Sequence, residues 1–231
     1  INMLYLNDTY QKEFESSIKS INSNQIILNQ TYFYAKSGGQ PGDTGIFIIE
    51  NNEIQVTDTI KDQENNTVHI IRENVNLHNN QKVFCKIDWN KRYKYMRMHT
   101  ALHLLCSVIP YGVTGGQIGY EKSRLDFDLK DNIIDKNEIE ERLNILVLED
   151  HKIEYLWITN IELDKSPNLV RTMSVKPPKT NDKIRLVKIG NIDLQPCGGT
   201  HVKSTKEIGK ITINKIENKG KKNRRINISL I

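Results

Sequence analysis

Two short clusters hold the residues best suited to binding a metal. Met98-His99-Thr100-Ala101-Leu102-His103-Leu104-Leu105 places two histidines four residues apart. On a helix that spacing puts both imidazoles on one face, about one turn apart, where they can converge on a single ion. Far downstream, Gln195-Pro196-Cys197-Gly198-Gly199-Thr200-His201 sets a thiol and an imidazole around two glycines, which favour a turn over a rigid helix. Neither cluster is specific alone. Together they form a His/Cys set of the type zinc prefers, so one Zn2+ per chain is expected, with His99, His103, Cys197 and His201 as ligands.

A structural zinc has all four positions filled, whereas a catalytic one keeps a position for water. The pattern therefore leaves open whether His201 ligates the ion or stands off it as a base or substrate contact. A zincin protease needs Glu directly after the first histidine. Thr100 occupies that place, which disfavours peptide hydrolysis by that route, and Thr100 joins His201 as a candidate for a catalytic role. Cys106, three residues past His103, reads as a small buried core residue.

The elements that must carry these clusters fall into two groups. Up to about residue 88 the chain reads as short strands: 25–28, 31–34, 46–49, 54–56, 67–71 and 82–87, separated by Asn, Asp and Gly. This predicts a small β barrel or sandwich over 1–88, interrupted by the glycine-rich run Ser37-Gly38-Gly39-Gln40-Pro41-Gly42-Asp43-Thr44-Gly45. After Asp88-Trp89 the pattern changes. Residues from Arg92 to about Pro110 carry apolar side chains at helical spacing, and a second amphipathic helix follows over about 136–151. Strands are expected at 123–129, 152–159 and 183–189, with a closing hairpin of 209–216 and 225–231. Residues 89–231 are therefore expected to form an α+β domain.

At 231 residues with 37% hydrophobic and 26% charged residues, the chain has material for a real core and lies outside the disordered and fibrous classes. No window approaches the roughly 20 apolar residues of a membrane span, and the opening residues lack a signal-peptide layout, so a cytoplasmic location without membrane partners is expected. Three scattered cysteines do not make a disulfide framework. The net charge of +5 concentrates in Lys91 to Arg97 and in Lys219 to Arg225. Such clusters suit a phosphate backbone, and a solvated helix end and a polar hairpin turn are the alternative.

The motifs His99-Thr100-Ala101-Leu102-His103-Leu104-Leu105 and Cys197-Gly198-Gly199-Thr200-His201 resemble the two metal motifs of the alanyl-tRNA synthetase editing domain, and its free-standing relatives, the AlaX trans-editing proteins, are the closer match. The loop from Phe33 to Gly45 resembles that family's glycine-rich signature in the small β domain before the editing core. Three signatures in order, from residue 33 to 201, cover most of the chain. The resemblance implies an N-terminal β barrel followed by an α+β editing domain similar to those of alanyl- and threonyl-tRNA synthetases. It implies hydrolysis of the ester in mischarged tRNA(Ala) carrying serine, with glycine as the further candidate. By their place in the family pattern, Thr114 and Gln117 are candidates for the serine hydroxyl, and Gly38 and Gly39 for shaping the substrate cleft. Arg92, Arg97, Lys221, Lys222, Arg224 and Arg225 are the candidate tRNA contacts. Two rivals remain: an RNA-binding module with a purely structural zinc, and an editor of Ser-tRNA(Thr).

Overall fold

The computed structural model describes residues 3–72, 75–130, 132–170 and 183–231. It divides into two compact units, Ile1–Lys94 and Tyr95–Ile231. In the first, six strands close into a barrel: β1 (Glu13–Asn22), β2 (Gln25–Leu28), β3 (Gly45–Ile49), β4 (Asn52–Lys61), β5 (Thr67–Ile71) and β6 (Lys82–Ile87), in the order β1-β2-β5-β4-β3-β6 with β6 pairing back onto β1. Closure leaves no exposed strand edge. Alternation writes the interior: Phe47 and Ile49, Ile54 and Val56, and Val83, Cys85 and Ile87 point inward while their neighbours face out.

Two elements of the barrel depart from the alternation rule. β1 is a strand that the pattern hides, because polar Ser16 stands between buried Phe14 and Ile18 on the same face and the register on β2 shifts between Ile18 and Ser20. Conversely, the strand expected over 31–34 reduces to one bridge between Met3 and Thr31. Phe33, Tyr34 and Ala35 are all buried in succession, which a strand with one wet face cannot do.

The glycine-rich run between β2 and β3 is pinned by Asp43. Its carboxylate accepts the Tyr34 N–H at 2.6 Å and holds the Arg92 guanidinium in a buried ion pair. Arg92 also donates from Nη1 to the Thr9 carbonyl at 2.9 Å and from Nη2 to the Tyr32 carbonyl at 2.6 Å. The phosphate contact expected of Arg92 is therefore corrected: the side chain is 0% exposed and its fork is spent inside this unit. Removing one partner of such a pair strands the other charge, so Asp43→Ala is expected to cost about 3–5 kcal/mol of barrel stability in denaturant unfolding; a loss under about 1 kcal/mol would show that the pair does not hold the loop.

His69 lies inside the barrel between the rings of Phe33 and Phe47. Its Nδ1–H donates to Ile26 O at 3.0 Å, and its Nε2 accepts from the Thr31 hydroxyl at 2.9 Å. Burial lowers its pKa from 6.5 to about 4, the bond to Ile26 opposing only in part. The unfolded chain takes up the proton first, so stability from this site is complete above pH 6.5 and is lost as pH falls toward 4. At about 1.4 kcal/mol per pH unit the full loss is roughly 3 kcal/mol. Melts of the wild type and His69→Gln are expected to diverge in pH slope across that window; parallel slopes would count against it.

The second unit holds most of helix α1 (Trp89–Val108), which begins in the first, with helices α2 (Lys136–Leu148) and α3 (Asn160–Asp164). Its strands are β7 (Val113–Gln117), β8 (Ser123–Asp128), β9 (Ile153–Thr159), β10 (Lys183–Ile189), β11 (Asp193–Pro196), β12 (Ile211–Asn218) and β13 (Asn223–Leu230). They form a three-stranded sheet, β11-β10-β9, and a four-stranded sheet, β12-β13-β8-β7. From Tyr95 to Val108 every residue of α1 is buried except Arg97 and Ser107, which are partly so. α2 is capped by Asp135, which accepts the N–H groups of Asn137 and Glu138. It seals the edge of β12: Asn144 exchanges bonds of 2.8 and 2.9 Å with Ile211, and Glu140 accepts the Ile213 N–H at 2.7 Å. β7 is not among the strands the sequence predicts, because Gly115 and Gly116 carry no strand signal, yet it pairs with β8 through a register shift between Val113 and Gly115, a common use of glycine in a strand.

Candidate metal centre

α1 supplies His99 and His103 from one helical face. The other two donors come from the loop leaving β11, where Cys197 and His201 flank Gly198 and Gly199. The ligand atoms of His99, His103, Cys197 and His201 all lie within 4.8 Å of one another, and the three imidazole centroids are 4.3 to 5.2 Å apart. Cys197 Sγ is 3.4 Å from Nε2 of both His99 and His201. A tetrahedral zinc with ordinary Zn–S and Zn–N lengths has an S···N edge of roughly 3.5 Å, so donor chemistry and spacing both fit the ion. The three histidines are buried and Cys197 is partly exposed.

Outer residues decide which nitrogen faces the centre. Thr100 donates its hydroxyl proton to Met96 O at 2.9 Å, so its oxygen accepts from His201 Nδ1 at 3.1 Å and from the Val202 N–H at 3.3 Å. Nε2 of His201 is thereby left unprotonated and turned inward. The catalytic role expected of Thr100 is corrected on this ground: its only proton is committed to the helix backbone, and it orients His201. His103 Nδ1 meets Asp193 Oδ2 at 3.2 Å, and Gln195 Nε2 donates to the same oxygen at 2.8 Å. Such carboxylate–histidine pairs fix the ring and raise its basicity.

Cys197 and His201 are held in the form that binds a cation, and His103 must shed a proton to do so. Burial alone would raise the Cys197 thiol, but the adjoining imidazoles of His99, His201 and His103 hold it well below its usual range, as a thiolate. Burial and the nearby His99 keep His201 neutral. For His103, burial works against protonation, yet the bonds to Asp193 and Cys197 push its pKa up to about 9.

Asp193, Gln195 and Arg185 are members of the site that sequence reasoning missed. The signal for the first two was present: 193, 195 and 197 share one face of a strand. Arg185 breaks the apolar alternation of β10. Its carbonyl accepts the Cys197 N–H at 3.1 Å, its Nη2 donates to Gly199 O at 2.9 Å, and its guanidinium stacks 4.0 Å from the Tyr155 ring.

The other expected residues sit on other elements. Thr114 sits on β7 with Oγ1 3.2 Å from Asp126 O and 3.3 Å from Asn223 Oδ1, and Gln117 is exposed at the end of that strand. Gly38 and Gly39 have φ of 54° and 81° at the tip of a two-residue turn closed by Ser37 and Gln40, a conformation that favours glycine. Arg97 gives Nε and Nη2 to Ile208 O at 2.9 and 2.6 Å. Arg225 forks onto Asp126 at 2.8 Å through both Nε and Nη2, tying β13 to β8. Lys221 and Lys222 are exposed in the β12–β13 turn, and Arg224 is partly buried beside it.

Comparison with known proteins places this centre in a family. Residues 3–91 match the tRNA synthetases class II (A) family, and residues 184–227 match the threonyl and alanyl tRNA synthetase second additional domain. The alanyl-tRNA editing protein AlaX-M of Saccharolobus solfataricus is 38% identical over 230 residues, 96% of this chain and 96% of the relative. The chain belongs to the alanyl-tRNA editing protein family, AlaX. A second AlaX-M, from Methanosarcina barkeri, is 35% identical over 99% of this chain and 98% of its own. The alanine–tRNA ligase of Pyrococcus abyssi matches 93% of this AlaX chain at 33% identity, but only 24% of the ligase is covered.

Loss of an outer partner typically lowers metal affinity 10- to 100-fold. Zinc affinity of Asp193→Asn, measured by chelator competition, is expected to fall within that range, and Cys197→Ala should not retain the ion. Full zinc content in Cys197→Ala would dissolve the assignment.

Proposed function

We propose that this chain is a zinc-dependent trans-editing enzyme that hydrolyses the ester of mischarged tRNA(Ala), releasing serine and, as a second substrate, glycine. The enzyme class, an aminoacyl-tRNA deacylase, goes with the family. The observation that carries the finer reading is the convergence of His99, His103, Cys197 and His201, oriented from outside by Thr100 and Asp193. A cytoplasmic location goes with this reading.

Zinc held by the four residues would supply Lewis acidity toward an ester carbonyl or a water. The protein's own part is to hold the donors ready. Asp193 keeps His103 Nδ1–H directed outward, Gln195 keeps Asp193 in place, and Thr100 does the same for His201. Discrimination follows from simple energetics. A synthetic pocket built for alanine cannot strongly reject glycine or an isostere that adds only a hydroxyl. A second site that offers the serine hydroxyl a polar partner leaves that partner unpaired with alanine, which costs about 1–3 kcal/mol. We assign that contact to Thr114 or Gln117.

Side-by-side assays of Ser-tRNA(Ala), Gly-tRNA(Ala), Ser-tRNA(Thr) and Ala-tRNA(Ala) test the proposal. Ser-tRNA(Ala) is expected to be hydrolysed fastest and Ala-tRNA(Ala) spared, with Cys197→Ala slower by more than about 100-fold. A zinc-loaded protein that binds tRNA and hydrolyses none of them would instead be an RNA-binding module with a structural metal.

A further inference from the structure

The barrel of the first unit carries a feature that the metal centre does not use. A hollow of about 520 Å³ opens on its surface, lined by residues that include Thr44, Gln55, Thr57, Arg72, Lys86 and Lys91. The floor follows from strand register. Ile46 on β3 pairs with Gln55 on β4 and with Lys86 on β6, so these three stand in one row on the outer face. Arg72, just past β5, donates its backbone N–H to Gln55 O at 3.0 Å and is exposed. Lys91 comes from the first turn of α1.

The lining charge is net positive: Arg72, Lys86 and Lys91 against Asp88, which is three minus one. Asp88 is already engaged, accepting the Lys91 N–H at 3.2 Å and the Thr44 hydroxyl at 3.4 Å. Lys86 shares Glu13 at 3.3 Å, a half-exposed pair of little energy. Among the described residues, no carboxylate forms a salt bridge with Arg72 or Lys91. Gly45 of the glycine-rich run lines one wall, and Gly42 holds the run in place just before it. A Cβ on Gly45 would lie 2.1 Å from Lys86 O, and one on Gly42 would lie 2.0 Å from Thr59 O. Only glycine lets the loop backbone run against β4 and β6, and that course sets Thr44 beside Asp88 and within 3.5 Å of Lys91 Nζ.

We propose that this hollow is a docking site for a phosphodiester of the RNA backbone, held by Arg72, Lys86 and Lys91, and that the glycine-rich run serves to form its wall. A concave site whose cations outnumber its carboxylates, one of them a guanidinium fork, selects phosphate over neutral groups. Its size admits a nucleotide unit rather than a lone ion. That the phosphate belongs to tRNA rests on the deacylase reading; the anion site itself does not.

The test uses the full chain with Arg72→Gln, Lys86→Gln and Lys91→Gln combined, none of which touches the metal cluster. Binding of uncharged tRNA is measured across a salt series by anisotropy, binding of adenosine monophosphate by calorimetry, and hydrolysis on Ser-tRNA(Ala) and on seryl-adenosine, which has no phosphodiester. The variant is expected to bind tRNA about 10-fold more weakly or worse and to lose about one in the log–log salt slope per contact removed. KM for Ser-tRNA(Ala) should rise at unchanged kcat, with seryl-adenosine hydrolysis untouched. Unchanged tRNA affinity and slope would overturn the proposal, as would an equal loss on both esters or loss of mononucleotide binding alone. If the wild type hydrolyses neither ester but its tRNA affinity still depends on the three cations, the docking site stands and the deacylase reading falls.

Discussion

Three imidazoles and a thiolate gathered within 4.8 Å are the constraint around which the second unit is organised. Left to themselves, such groups compete for protons and repel when charged. The fold resolves this with fixed partners on the outer side of each ring that needs one. Thr100, whose own proton goes to Met96 O, can only accept from His201; Asp193 can only accept from His103. The partner thus turns Nε2 of each ring toward the cluster, the nitrogen through which a neutral imidazole binds a cation; His201 is already in that form, whereas His103 gives up a proton to reach it.

The same logic explains why α1 is buried on nearly all sides. A surface helix could offer two histidines at the same spacing, but solvent would supply their outer hydrogen bonds and leave the rings free to turn. Burying Met98 to Cys106 without a break lets β11 deliver Asp193 and Gln195 from one face, with Cys197 following from the loop that leaves it. Arg185, opposite Cys197 on β10, ties the glycine loop back to the sheet through Gly199 O. The two glycines make the loop tight enough to return His201 to the thiolate four residues before it.

Positive charge serves two ends in this protein, and burial separates them. Arg92, Arg97 and Arg225 are struts: planar forks that join Asp43, the Ile208 carbonyl and Asp126 to elements distant in sequence. Arginine suits that use because its donors lie in one plane at fixed angles. The lysines, with flexible stems and a point charge, stay at the surface, as Lys221 and Lys222 do in the β12–β13 turn.

The sequence by itself determined the identity of the donor set, the helix that carries half of it, and the barrel strands whose apolar residues alternate, because periods of 3.6 and 2 and the chemistry of His and Cys are local properties. It also carried the family resemblance, which lives in three short ordered motifs. It could not show β1, where polar Ser16 interrupts the apolar face between Phe14 and Ile18, nor β7, whose two glycines carry no strand signal. Nor could it assign Asp193, Gln195 and Thr100 their part as orienting partners, or tell a buried Arg92 from an exposed Lys222 within runs of similar charge. Those outcomes depend on which groups lie within about 3 Å of one another across distant parts of the chain, and only tertiary packing sets that distance.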